Sequence, residues 1–383
     1  MVTWSSVWSW TPFPPMTFFS VIVAAFMVGV GWVLLATALR PRPLSRTAIR
    51  FKTAARAARG SGQYFYDPKA GGENKSPFPT IFEPASVYLS VIVPAYNEEG
   101  RLGHMLDEAL QYLEWRATDT TGYSPEPFTY EIIIVDDGSK DGTVRLARQF
   151  TDRYGSGKVR VLALARNAGK GAAVKQGMLV ARGKLLLMAD ADGATRFRDM
   201  ENLERKLHEI ADWEHELGAV IVGSRYVALA EASRTVRGRA PTSKNGQALT
   251  ATTAAGSATE HRTAEGHVLR DWRRKLLGKG FNWMVKYLGG VCDIRDTQCG
   301  FKLFARDSAR TLFLTQHLTR WAFDVELLYL AQRLGVPIAE VGVNWTEIPG
   351  SKLRVVRAIV SMALDMLRMR ARYFAGIWRI EYA

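Results

Sequence analysis

The feature that most constrains this chain is a series of continuous apolar runs, each closed by a polar cluster. "YLSVIV" (88–93) leads into "PAYNEEG", "EIIIVD" (131–136) into "DGSKDGT", "VRVLAL" (159–164) into "RNAGKG", and "KLLLMA" (184–189) into "DADG". Uninterrupted aliphatic and β-branched runs of this length suit strands buried on both faces. Between them lie segments with helical apolar spacing, at about 98–117, 143–154 and 170–182, and a fifth run, "AVIVG" (219–223), follows. The alternation predicts an α/β fold with a mostly parallel central sheet covered by helices. In such sheets ligands gather beyond the carboxyl ends of the strands. All the polar clusters sit there.

The fourth cluster is the most informative. Asp190 and Asp192 flank one residue, Ala191, at the tip of the most hydrophobic run. Carboxylates at the end of a buried strand are costly unless they are paired or hold a cation. Both can turn to one hard cation, and Mg²⁺ or Mn²⁺ suits carboxylate and phosphate oxygens. Two solvated turn aspartates are the commoner source of Asp-x-Asp, but the position after a buried strand favours the metal. At the second cluster, one of Asp136 and Asp137 can accept a base N–H, while Ser139, Asp141 and Thr143 suit turn and capping work. Gly169 and Gly171 allow close approach at a helix start, where Lys170 can meet phosphate. The Gly-x-Gly-x-x-Gly pattern is missing, which weighs against a dinucleotide enzyme.

The amino-terminal region is of another kind. From Thr17 to Leu39 run 23 residues without a charge, and a bilayer span needs about 20. Met1 to Met16 is also uncharged, unlike the basic start of a cleaved signal peptide. We therefore expect a retained anchor at 17–39 and a short non-cytosolic segment at 1–16. Arg40 to Arg59 holds seven Arg or Lys and no acid, which places the body in the cytosol. Residues 40–84 read as a basic juxtamembrane linker.

The net charge of +14, from 51 basic against 37 acidic residues, points to an anionic partner. Because basic residues cluster beside the apolar segment, membrane lipid is expected and nucleic acid is not. The two cysteines, Cys292 and Cys299, form no disulfide framework. A Thr, Ala, Gly and Ser-rich stretch at about 230–268 predicts a disordered insertion. In 353–383, polar positions 354, 357, 361, 365, 368 and 372 recur at helical spacing. They predict a basic amphipathic helix that lies on a membrane or packs on its own domain.

As an ordered set, "LSVIVPAYNEEGRL", "IIIVDDGSKDGT", "ARNAGKGAAVKQGM" and "MADADGATRF" resemble family 2 glycosyltransferases of the GT-A fold. "VGSRYV", "RDTQCGFKLF", "RWAFDVELLYLAQRLGVPIAEV" and "WTEIPGSK" narrow the resemblance to the dolichyl-phosphate β-glucosyltransferase family. It covers about 88–226 and 271–372, and the insertion before Trp272 is the departure. The resemblance implies a catalytic domain at 85–352 that transfers glucose from UDP-glucose to dolichyl phosphate with inversion. It also implies a single-pass protein of the endoplasmic reticulum membrane, supplying glucose for lipid-linked oligosaccharide and N-glycosylation.

Carried over by motif, Pro94, Ala95, Tyr96, Glu98 and Asp137 would hold the nucleoside, with Lys170 and Ala191 in the same nucleotide-sugar site. Asp190 and Asp192 would hold the metal and diphosphate. Arg225, Arg274 and Lys352 would face the acceptor phosphate, and Asp190, Asp192, Arg225 and Arg274 would carry catalysis. Without the resemblance those three cations read equally as surface charges. Asp324 and Glu326 in "FDVELL" either position the sugar, order a loop, cap a helix or bridge the core. The rival readings are the same chemistry with GDP-mannose, and a non-catalytic membrane-anchored nucleotide-sugar-binding protein. The intact aspartates weigh against the second.

The expected chemistry needs no strong base. A phosphate monoester has its second pKa near ~6, so the nucleophile is already anionic at neutral pH. The site must supply alignment, cations for two anions, and stabilisation of the leaving diphosphate.

Overall fold

The computed structural model describes residues 63–69, 75–118, 128–213, 217–227, 280, 282–348 and 355–380. A short antiparallel pair, β1 (Tyr64–Tyr66) and β2 (Lys75–Pro77), comes first. The alternating region follows as β3 (Val87–Ala95), α1 (Leu102–Thr118), β4 (Tyr130–Asp136), α2 (Thr143–Tyr154), β5 (Val159–Ala163), α3 (Lys170–Leu179) and β6 (Gly183–Met188). Then come α4 (Met200–Ile210), β7 (Val220–Ser224), β8 (Lys302–Ala305), α5 (Arg306–Thr315), α6 (Phe323–Leu334), β9 (Ile338–Gly342) and α7 (Val355–Phe374).

One sheet of seven strands, in the order β5-β4-β3-β6-β8-β7-β9, carries the fold. β3 to β6 pair in parallel, and so do β7 and β9; β8 alone runs against both its neighbours. The expected mostly parallel sheet is therefore present. The strands alternate between two cores. Ile92, Ile133 and Met188 face a cluster built with α3, α5 and α6, while Val91, Val93 and Leu187 face one built with α1, α2 and α4. Burial on both faces explains the unbroken apolar runs.

Two parts of the fold differ from the sequence reading. In the stretch expected to be linker, residues 63–69 and 75–84 belong to the body. Phe65 and Phe78 are buried and meet edge to face with ring centroids 4.9 Å apart. The Arg306 guanidinium donates to the Glu83 carbonyl at 2.7 Å and the Gly183 carbonyl at 2.8 Å, tying this stretch to β6. Scattered single anchors such as these have no period to read. β8 and β9 were also not apparent, because "KLFA" is short with a lysine and "IAEVG" is a half-buried edge strand.

α7 shows two faces. Met362, Met366 and Met369 are buried in the core, so the helix packs on its own domain. Val360 and Leu364 point outwards, with exposed Phe374 and Ile377 just beyond. Among the described residues no helix is long and apolar enough to cross a membrane. The expected anchor (17–39) and the expected insertion (230–268) lie outside the described residues.

Candidate active site at the reversal of strand order

The chain moves outwards from β3 through β4 to β5, then returns to the other side of β3 as β6. A crevice forms beyond the carboxyl ends of strands where the order reverses in this way. β3 ends there in Pro94 and Ala95, with Tyr96 exposed just after them. The Ala189 N–H donates to the Ile92 carbonyl at 3.0 Å, extending the β6 pairing up to Asp190. Asp192 then accepts the Ala194 N–H at 3.0 Å, and Ala191 is buried between the two carboxylates. The chain next pairs with the "NWTEI" segment, through Arg196 N–H to the Asn344 carbonyl (3.0 Å) and Thr346 N–H to the Ala194 carbonyl (2.8 Å).

Asp190 is the crowded centre of this arrangement. Its Oδ1 lies 2.6 Å from the Lys170 ammonium, which projects from the start of α3. Its Oδ2 packs so close to Gly300 that a Cβ there would stand 2.0 Å away. Trp321 lies 5.6 Å from Lys170 Nζ. Behind Lys170, Asp324 receives a bond from Lys302 Nζ at 2.6 Å, and both residues are buried. Burial opposes the Lys170 charge, but Asp190 and then Asp324 outweigh it and hold its pKa above the ordinary lysine value. A small crevice has Asp190 in its wall, with Met105, Glu108, Thr195 and Phe197 around it.

The other expected residues divide by what already occupies them. Glu98 is gripped by Arg101 through bonds of 2.7 and 2.6 Å. Arg101 is raised in pKa first by that bond, against its burial, and also by Asp192 and Asp190. Asp137 accepts the backbone N–H groups of Ala168 at 2.6 Å and Gly169 at 2.9 Å, so its oxygens order the "RNAGKG" loop. Asp136 instead keeps Oδ1 buried without a partner, while its Oδ2 accepts the Ser139 N–H at 3.1 Å. The open acceptor at this strand end therefore belongs to Asp136.

Arg225 directs two of its three nitrogens at Asp296, at 2.8 and 2.7 Å, and that pairing foremost raises its pKa. Its guanidinium carbon also lies 5.3 Å from the Trp345 ring. Arg274 and Lys352 lie outside the described residues. The four readings of "FDVELL" resolve differently for its two acids. Asp324 bridges the core, and Glu326 orders a loop by accepting the N–H groups of His317 (3.0 Å) and Leu318 (2.6 Å).

Residue types alone did not reveal Arg101, Asp296, Gly300 or Lys302. Lys302 did leave a signal: a lysine flanked by apolar residues in "GFKLF" must be paired if that run is buried. Among the described residues no three His, Cys, Asp or Glu side chains form a cluster able to hold a metal. Two carboxylates suffice for a cation that takes the rest of its shell from phosphate and water, as Mg²⁺ does. Asp190 and Asp192 fit that kind of site.

Comparison with known proteins gives the family. The family model described as Glycosyl transferase family 2 matches residues 90–253. The dolichyl-phosphate beta-glucosyltransferase of Homo sapiens is 44% identical over 307 residues, covering 80% of this chain and 82% of that protein. The protein of that name from Drosophila melanogaster is 44% identical over 304 residues, covering 79% and 80%. The one from Saccharomyces cerevisiae is 34% identical over 302 residues, covering 76% and 77%. Among solved structures, mannosyl-3-phosphoglycerate synthase from Rubrobacter xylanophilus aligns with TM-score 0.44 at 17% identity, over 76% of this chain and 75% of that one. A likeness that distant carries no argument. The relatives aligned over most of the chain do: this chain belongs to the dolichyl-phosphate β-glucosyltransferase family, and it is a glycosyltransferase.

Proposed function

We propose that the enzyme transfers glucose from UDP-glucose to dolichyl phosphate, giving dolichyl β-D-glucosyl phosphate. The names of relatives aligned over most of the chain support the acceptor and the sugar. The observation that carries the site reading is the role of the loop 296–300. Its Asp296 holds Arg225 and its Gly300 abuts Asp190. One short segment thus joins the expected acceptor cation to the carboxylates expected to serve the donor.

Each group then has a task. A divalent cation, Mg²⁺ or Mn²⁺, bound by Asp190 and Asp192, would neutralise charge on the departing diphosphate. Lys170 meets a donor phosphate at the start of α3, where backbone N–H groups also favour an anion. Arg225 keeps one nitrogen of its fork for the acceptor phosphate, oriented by Asp296. The acceptor oxygen attacks the anomeric carbon, and the bond to UDP breaks with its electron pair leaving on the diphosphate. One displacement inverts the centre. Asp136 Oδ1 suits a base N–H, and the buried, unpartnered Thr297 Oγ1 and Gln298 Nε2 suit ligand hydroxyls.

The uncharged stretch 17–39 supports a membrane anchor and the basic run 40–59 a body in the cytosol; the family resemblance suggests the endoplasmic reticulum membrane, with the outer face of α7 against lipid. Its product then serves as the glucose donor for lipid-linked oligosaccharide and N-glycosylation. The test offers the full chain radiolabelled UDP-glucose and GDP-mannose, each with dolichyl phosphate. Label is expected in lipid from UDP-glucose alone; transfer from GDP-mannose instead would overturn the donor assignment. Protease added to sealed microsomes should digest the body, and protection until detergent is added would refute the topology.

A further inference from the structure

The Glu326 carboxylate, in the first turn of α6, is fully buried and gathers donors from two other parts of the chain. It accepts the backbone N–H of His317, at 3.0 Å to both oxygens, and that of Leu318 at 2.6 Å. It also accepts the Tyr373 hydroxyl at 2.8 Å, from the last turn of α7. The His317 ring completes the cluster. It stacks on Trp378 with centroids 4.3 Å apart, and its Nδ1 lies 3.2 Å from the Tyr373 oxygen. An enclosed carboxylate is costly unless its acceptors are filled, so each of these donors is held in place.

On its far side, the loop that Glu326 orders meets the start of α3. Gln316 Nε2 donates to the Gly171 carbonyl at 2.9 Å and to the Leu318 carbonyl at 2.7 Å. The Thr319 carbonyl accepts the Ala172 N–H at 3.0 Å. The fit leaves no room for side chains. A Cβ at Gly169 would stand 2.5 Å from the Thr319 carbonyl oxygen, and one at Gly171 would stand 2.6 Å from Phe323 Cβ. The turn 168–171 is thus clamped twice, by Asp137 through the Ala168 and Gly169 N–H groups and by the loop 316–319.

We propose that Glu326 is a positioning residue for donor binding, which fixes the loop 316–319 as one wall of the turn 168–171 and, through Tyr373, ties that wall to α7. Glu326 touches no substrate in this scheme. It acts through the backbone of the turn that a donor phosphate meets, so α7 contributes to donor affinity as well as to packing. The inference deepens the function proposed above and rests on its placement of a donor phosphate at the start of α3.

The experiment compares full-length wild type with Glu326→Gln, Tyr373→Phe, Gln316→Leu and Leu207→Ala. Leu207 is fully buried in the core on the other side of the sheet and serves as the control. Each protein is measured for melting temperature, Kd for UDP in the presence of Mg²⁺, and KM for UDP-glucose and for dolichyl phosphate. Tyr373→Phe keeps the ring and removes one bond. Gln316→Leu leaves Glu326 intact and removes the contact with Gly171. All three cluster variants should raise Kd for UDP and KM for UDP-glucose by about 2–30-fold, the range for residues that act through others, with Tyr373→Phe the mildest. KM for dolichyl phosphate should not move. Leu207→Ala should melt below wild type with both donor values unchanged, which separates positioning from general loosening. Wild-type donor values in Tyr373→Phe and Gln316→Leu would overturn the inference, and so would an equal rise in Leu207→Ala. Should Glu326→Gln not fold, the other two cluster variants decide in the same way. A wild type that binds no UDP would instead sink the donor assignment itself, a failure visible before any variant is made.

Discussion

At Gly300 a single methyl group decides the geometry of the site. A Cβ at this position would stand 2.0 Å from Asp190 Oδ2. What it meets is the end of a half-exposed side chain, so the carboxylate yields and the fold does not. Gly300→Ala should therefore leave the melting temperature close to wild type while lowering kcat by about 100-fold, the cost of a misplacement near 1 Å. Asp192→Asn keeps the shape and removes the charge; it should nearly abolish transfer, and saturating Mn²⁺ should not restore it. These aspartates were legible because two charges follow an apolar run. The choice between Asp136 and Asp137 was not. They are neighbours in one turn, and what separates them is Asp137's bonding to Ala168 and Gly169, more than thirty residues further along the chain. Arg225 was legible as a cation, but its holder Asp296 is 71 residues away.

Among the elements, those that repeat a period were readable and those that rely on partners were not. β3 to β7 lie within a residue or two of the expected runs, because burial on both faces leaves no polar interruption. β8 has a lysine at its start and is strand-like only because β6 and β7 flank it. The expected helix at the carboxyl end forms, and its two sides separate the two readings of its role. Met366 is fully buried, so Met366→Ala should cost about 2–5 kcal/mol of stability. Leu364 is 46% exposed, so Leu364→Ala should change stability by within about 0.5 kcal/mol. Flotation with liposomes checks the other side. Replacing Val360 and Leu364 together by Ser should weaken binding to anionic vesicles, and unchanged binding would leave the helix with a packing role alone.

Under the proposed function, the molecule as a whole aligns two anions and supplies cations but no general base. Its pH dependence follows from the acceptor. A phosphate monoester gains its second charge near pH ~6, so kcat/KM for dolichyl phosphate should rise through that region as the dianion accumulates. It should then stay level to about pH 9, with no second rise from a protein base. Asp324→Asn should leave the shape of this profile unchanged, whereas a new inflection would identify Asp324 as an acid or base. The overall class was readable because the ordered polar clusters fall at successive strand ends; the antiparallel β8, whose preceding loop brings Gly300 against Asp190, was not, since it depends on pairing across the sheet. The most direct test of the central claim is the fate of label from UDP-glucose when the full chain is given dolichyl phosphate, with and without chelator. The expected product is a lipid-linked glucose with β configuration by NMR, lost with EDTA and regained with Mg²⁺ or Mn²⁺. An α-linked product, or undiminished transfer in EDTA, would contradict it.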